Sequence, residues 1–130
     1  MNQPLISGEG LTKRFDISRL MSDIITGKHP QLQAVVDVDF TLQRGETPGI
    51  VGESGCGKTT LGRMLIKLIP ATEGTVLFDG QDIAHMNRVE ELAFRRRAQR
   101  VFQNPFDALN PHFTILRSLR EPLHNARVPA

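Results

Sequence analysis

The sequence predicts a mixed α/β fold: a strand–loop–helix unit that opens a nucleotide-binding core, with a β-rich, antiparallel-looking flank. Three observations carry this. Gly52-Glu53-Ser54-Gly55-Cys56-Gly57-Lys58-Thr59 meets the pattern G-x-x-x-x-G-K-[ST] at every fixed position. Immediately after it, Leu61, Met64, Leu65 and Leu68 fall at i, i+3, i+4 and i+7, the stripe of an amphipathic helix. Upstream, Val36, Val38, Phe40 and Leu42 alternate with polar residues, as in a half-buried strand.

In chain order, residues 5–12 read as a strand ending near Phe15, and residues 16–33, with Gly27 and Pro30, as a loop or short irregular helix. The alternating strand follows, and Arg44-Gly45-Glu46 turns the chain into Thr47-Pro48-Gly49-Ile50-Val51, a short apolar strand. The helix from Lys58 is expected to stop near Ile69, because Pro70 cannot continue it. Thr75-Val76-Leu77-Phe78 is a strand, and Asp79-Gly80 a turn dipeptide. Residues 89–97 have helical spacing, with Leu92 and Phe94 among the charges, and Arg100-Val101-Phe102 is a further short strand. A last helix starts near Phe113 and is interrupted by Pro122.

The glycine loop explains its own spacing. Glycines at 52, 55 and 57 reach backbone conformations closed to residues with a Cβ, so successive N–H groups converge on one anion. The helix that follows adds unpaired donors and the positive end of its dipole. Lys58 then reaches the β- and γ-phosphates of a nucleoside triphosphate, and the Thr59 hydroxyl ligates Mg²⁺. Cys56 occupies a variable position where the backbone N–H matters more than the thiol.

Composition narrows the classes. The 130 residues, 39% hydrophobic and 23% charged, suit one globular core. A net charge of +2 gives no footprint for nucleic acid, and Arg95-Arg96-Arg97 with Arg100 has no aromatic stacking platform beside it. One cysteine excludes an internal disulfide. Histidines 29, 85, 112 and 124 lack metal-ligand spacing. No apolar run is long enough for a membrane span, and the N-terminus lacks a signal-peptide pattern, so a cytosolic chain is expected.

Several further segments give the chain a family resemblance. Phe15 in Leu11-Thr12-Lys13-Arg14-Phe15 and the stretch Val101-Phe102-Gln103-Asn104-Pro105-Phe106 resemble the ATP-binding subunits of ABC transporters, and Ala108-Leu109-Asn110-Pro111 continues that stretch in a way similar to peptide importers. Phe78-Asp79-Gly80-Gln81-Asp82-Ile83 and Glu121-Pro122-Leu123 are similar to the oligopeptide/dipeptide uptake branch. The resemblance implies an ABC-type P-loop NTPase core with an antiparallel β flank, binding ATP and Mg²⁺. It makes residues 52–60, through Thr60, the Walker A segment. Phe15 becomes an adenine-stacking residue; read without the resemblance, it is equally a core residue closing the first strand. Gln103 becomes the Q-loop residue that touches Mg²⁺ or the attacking water and couples the site to the membrane subunit; its plainer reading is a solvated loop glutamine.

The resemblance also implies partners: a second ATP-binding subunit, transmembrane permease subunits and, indirectly, a peptide-binding protein. The expected location is the cytoplasmic face of the cell membrane, held there through the permease. After Gln103 there is no L-S-G-G-Q stretch and no apolar strand ending in Asp-Glu, so residues 1–130 read as the N-terminal part of the domain, truncated before Walker B. Residues 112–130 would begin the helical subdomain. On this reading the chain binds nucleotide weakly without turnover; the alternatives are a stand-alone nucleotide-binding or interaction module and a non-functional fragment. Pro48 departs from the family's aliphatic residue and removes a ladder donor from the strand before the loop.

Overall fold

A computed structural model describes residues 3–16, 31–104 and 109–125. The chain divides into two compact units, Met1–Met86 and Asn87–Ala130.

In the first unit, β1 (Ile6–Asp16), β2 (Gln31–Leu42), β3 (Glu73–Phe78) and β4 (Gln81–Asp82) form a four-stranded sheet in the order β2-β1-β3-β4. All three pairings are antiparallel, as the flank required. Asp79 and Gly80 both have positive φ, 49° and 77°, and close the β3–β4 hairpin as a two-residue turn. Of the loop expected at 16–33, Asp16 ends β1 and 31–33 belong to β2, while residues 17–30 lie outside the described residues.

The β1–β2 ladder changes one expectation. Val35 is buried and Val36 is exposed, although alternation placed Val36 inside. The cause is a pair of facing irregularities: Gly10 at φ 59° and Asp37 at φ 48°, with register shifts around them. They are stitched across the ladder. The Gly10 N–H donates to Asp39 Oδ1 at 2.8 Å, and the Asp37 N–H donates to Thr12 Oγ1 at 3.0 Å. Thr12 is buried because its hydroxyl answers that amide.

Helix α1 (Lys58–Leu65) buries Leu61, Met64 and Leu65, while the sheet side of this unit's core holds Leu11, Val35, Val76, Phe78 and Ile83. Full burial of such side chains stabilises by roughly 1.5–3 kcal/mol each. The helix stops four residues before the Ile69 end expected of Pro70. Lys67 takes a left-handed conformation at φ 54°; its N–H donates to the Met64 carbonyl and the Leu68 N–H to that of Arg63. This 5→2 and 6→1 pair closes the helix without proline, and leaves Leu68 exposed.

Two expected strands are absent among the described residues. Residues 47–51 and 100–102 are irregular, with Val51 92% and Val101 95% exposed. A strand persists only in a ladder, the described residues provide no neighbour for either segment, and Pro48 has no N–H to donate.

The short turn Ile83–His85 after β4 is capped by Asp82, whose Oδ1 accepts from the Ala84 N–H at 2.8 Å while Oδ2 lies 2.7 Å from His85 Nδ1. Burial pushes the Asp82 carboxyl up, but the Ala84 amide, His85 and Lys67 outweigh it and hold it below its ordinary value. Its contribution to stability is therefore present above the unfolded carboxylate range, about pH 4, and fades as pH falls through the lower folded value. Asp82→Ala is expected to cost about 1 kcal/mol at neutral pH, the usual worth of such a cap. In urea melts across pH, the gap between variant and parent should close on the acid side. A gap that stays constant down to pH 2 would contradict this.

The second unit contains α2 (Arg88–Arg97) and α3 (Ile115–Asn125). A reciprocal cap opens α2: Asn87 Oδ1 accepts from the Val89 and Glu90 N–H groups, and Glu90 accepts from the Asn87 N–H. Phe94 is its buried residue. Pro122 lies inside α3 and does not interrupt it, contrary to expectation. The helix is started well before the proline, with Thr114 Oγ1 accepting from the Arg117 N–H and the Thr114 carbonyl from the Ser118 N–H. Its apolar residues Ile115, Leu116, Leu119 and Leu123 are all exposed.

Candidate functional site

The site is built at the start of α1. Gly57 is the N-cap, with φ 94°, and no side chain caps the helix; its first turn contains no acidic residue. The first amides and the positive end of the dipole are thus left to an anion. Gly52 and Gly55 also have positive φ, 157° and 84°, as the spacing of the glycines implies.

Gly57 is the position that fixes the loop against the sheet. A Cβ there would lie 2.2 Å from the Ala34 carbonyl oxygen and 3.2 Å from Val35 Cγ2. Hence the loop backbone rests directly on β2, and only glycine permits that approach. Ala34, Val35, Ile50, Cys56, Gly57 and Lys58 share the walls of a 320 Å³ cleft beside it.

Lys58 folds back over the loop. Its ammonium donates to the Gly52 carbonyl at 2.7 Å and the Glu53 carbonyl at 2.6 Å, with Cys56 Sγ at 3.5 Å. One cation is therefore held within the loop by two backbone carbonyls, where it would meet a phosphate oxygen. Glu53, Ser54, Gly55 and Cys56 are exposed around it, as is Thr59, while Thr60 is half-buried. No group of three His, Cys, Asp or Glu gathers anywhere among the described residues. A lone hydroxyl at Thr59 fits Mg²⁺, which keeps several waters and takes its remaining ligands from substrate phosphates.

Phe15 is 38% exposed near the end of β1, so it is not part of the buried core. Its strand partner is Leu32, two residues along β2 from Ala34, which is about 7 Å of extended chain. Phe15 and the phosphate loop thus both neighbour the same stretch of β2. Gln103 belongs to the second unit and is exposed in an irregular stretch; residues 105–108, the rest of the Q-loop resemblance, lie outside the described residues.

Sequence reasoning missed two participants. The Ala34 carbonyl gave no signal, because a backbone contact across 23 residues has no pattern in sequence. Lys13 did: it stands two residues before Phe15 on a strand, hence on the same face. Its ammonium lies 5.2 Å from the Phe15 ring centroid.

A glycine loop pinned to a sheet, a folded-back lysine and an uncapped helix together define a P-loop nucleotide-binding cassette. Solved structures agree. One described as the dimeric structure of a post-hydrolysis state of the ATP-binding cassette MJ0796 bound to ADP and Pi matches with a TM-score of 0.72. It is 26% identical, over 96% of this chain and 49% of that one. A bacterial Atm1-family ABC exporter with ATP bound matches at 0.52, with 29% identity over 71% of this chain and 14% of that one. The family pattern described as ABC transporter fits residues 35–128, and the chain belongs to that family.

Among curated relatives, the probable peptide ABC transporter ATP-binding protein y4tS of Sinorhizobium fredii is 46% identical over 96% of this chain and 35% of its own length. The oligopeptide transport ATP-binding protein AppF of Bacillus subtilis is 46% identical over 81% of this chain and 32% of its own. The chain spans about a third of the length of these relatives. No helix among the described residues is long and apolar enough to cross a membrane.

Proposed function

We propose that this chain carries the ATP-binding face of an ABC-type cassette and that the whole protein energises peptide uptake. The Lys58 ammonium at the centre of the glycine loop carries this reading. Gly52 to Thr60 hold the triphosphate through backbone amides, Lys58 contacts the β- and γ-phosphates, Thr59 ligates Mg²⁺, and Phe15 stacks on adenine. Gln103 senses the γ-phosphate and Mg²⁺. Residues 1–130 form the N-terminal part of the domain, and 112–130 begin its helical subdomain. In the whole protein, ATP joins this subunit to a second one, and hydrolysis drives permease subunits supplied by a peptide-binding protein. That assembly sits on the cytoplasmic face of the cell membrane. The names of y4tS and AppF support the peptide branch.

Calorimetric titration of the purified chain with Mg·ATP, Mg·ADP and AMP tests the site. ATP and ADP should bind, and AMP should bind at least about tenfold more weakly, because it lacks the β-phosphate that a charged donor rewards. Equal binding of all three, or no binding, would refute the reading. Cys56 provides a second check. Its Sγ is exposed and lies 2.7 Å from where a Gly52 Cβ would be, inside the loop's own curve. Complete alkylation by N-ethylmaleimide should block Mg·ATP by bulk, and bound ATP should slow the labelling. Undiminished binding after full modification would contradict it.

A further inference from the structure

We infer that Lys13 is a positioning residue for the nucleotide base, locking the Phe15 ring to Pro70 in the chain that follows α1. The inference rests on the proposed ATP site and adds to it a part that neither the glycine-loop pattern nor the stacking ring contains. Lys13 makes two contacts at once. Its ammonium donates to the Pro70 carbonyl at 2.8 Å, across 57 residues of sequence, and stands 5.2 Å from the Phe15 ring centroid. The second distance lies within the range in which a cation is attracted to the face of a ring. Neighbouring bonds hold the same corner: the Arg14 N–H donates to Thr72 Oγ1 at 3.1 Å, and the Thr72 N–H to the Thr12 carbonyl at 2.8 Å. The strand end bearing Phe15 is thus laced to the chain that leaves the phosphate-loop helix.

A phenyl ring has two faces, and the ammonium engages one. On this inference the other takes a flat heteroaromatic base; Phe15 keeps 38% of its surface open. An exposed phenylalanine near a strand end has free choice of rotamer; a cation fixed to a backbone carbonyl limits that choice, so less freedom is lost when a base stacks. The same tether joins the base platform to the chain leaving α1, whose other end presents the phosphate amides. Base and triphosphate are read at a set separation because Lys13, with the neighbouring Arg14 and Thr72 bonds, ties the strand end to the chain that follows α1. Lys13 touches neither the base nor the phosphates; it acts through Phe15.

The test compares Mg·ATP with Mg·tripolyphosphate, which has the phosphate tail and no base, by titration of the whole chain. In Lys13→Met, which keeps the apolar stem and loses the charge, Mg·ATP affinity should fall about three- to fivefold, the scale of an exposed cation–ring contact. Tripolyphosphate affinity should be unchanged. Lys13→Arg should restore ATP binding, since guanidinium also engages ring faces. In a Phe15→Ala background, Lys13→Met should have no further effect on ATP. Equal losses for both ligands would reduce Lys13 to a general prop of the fold and overturn the inference. So would unchanged ATP affinity in Lys13→Met, or additive losses in the double variant. Failure of the parent chain to bind either ligand would instead sink the ATP-site reading and the inference with it.

Discussion

Gly57→Ala is expected to weaken Mg·ATP binding by about tenfold or more and to destabilise the first unit by about 1–3 kcal/mol. Two costs act together. The added Cβ would be 2.2 Å from the Ala34 carbonyl oxygen, a backbone atom of β2 that cannot turn aside as the end of a flexible side chain can. The backbone at φ 94° is also strained for any residue with a Cβ. Relief requires the loop to lift from β2, which turns the first α1 amides away from their common focus. Gly62→Ala is the control, because a Cβ there meets nothing within 4 Å and alanine favours the helix. It should gain about 0.5–1 kcal/mol and bind as the parent does. Urea melts and nucleotide titrations on the two variants decide the matter: equal behaviour would mean that the close approach to β2 is not what shapes the loop.

Lys58→Ala should lower Mg·ATP affinity by about ten- to a hundredfold, the worth of one charged hydrogen bond. The loss is not larger because the ammonium already donates to the Gly52 and Glu53 carbonyls, so phosphate exchanges partners with it. Those carbonyls belong to exposed residues and water can serve them, so stability should change by less than about 0.5 kcal/mol. The two loop variants are thus separable: one loses binding and fold together, the other binding alone. Lys58→Arg should not rescue, since a planar fork does not replace a compact ammonium in a tight loop. Binding in Lys58→Ala within twofold of the parent would remove the lysine from the site.

Much of the local structure could be read from the sequence, because it is dictated by short-range chemistry. The Asp79-Gly80 hairpin, the α1 stripe at Leu61, Met64 and Leu65, and the glycine loop each depend on residues within one turn of each other. What failed depended on distant neighbours. Val51 and Val101 have strand-forming side chains but no adjacent ladder among the described residues. The inward phase of β2 moved from Val36 to Val35 because Asp37 and Gly10 bulge together, and those two residues are far apart in sequence. Pro70 and Pro122 read as helix breakers, yet Lys67 ends one helix and the other runs through Pro122. The site followed the same rule: the loop was visible, and its footing on Ala34 was not.

The irregular course of residues 47–51 has a thermodynamic consequence. Among the described residues, no hydrogen bond holds this lead-in segment, so the loop is anchored firmly on its helix side and loosely on the other. Measured affinity for a triphosphate equals the intrinsic affinity scaled by the fraction of molecules whose lead-in is correctly set. A backbone partner that docked alongside Ile50 and Val51 would raise that fraction, and with it nucleotide occupancy, without touching a phosphate. By linkage, nucleotide would tighten the hold of that partner by the same factor.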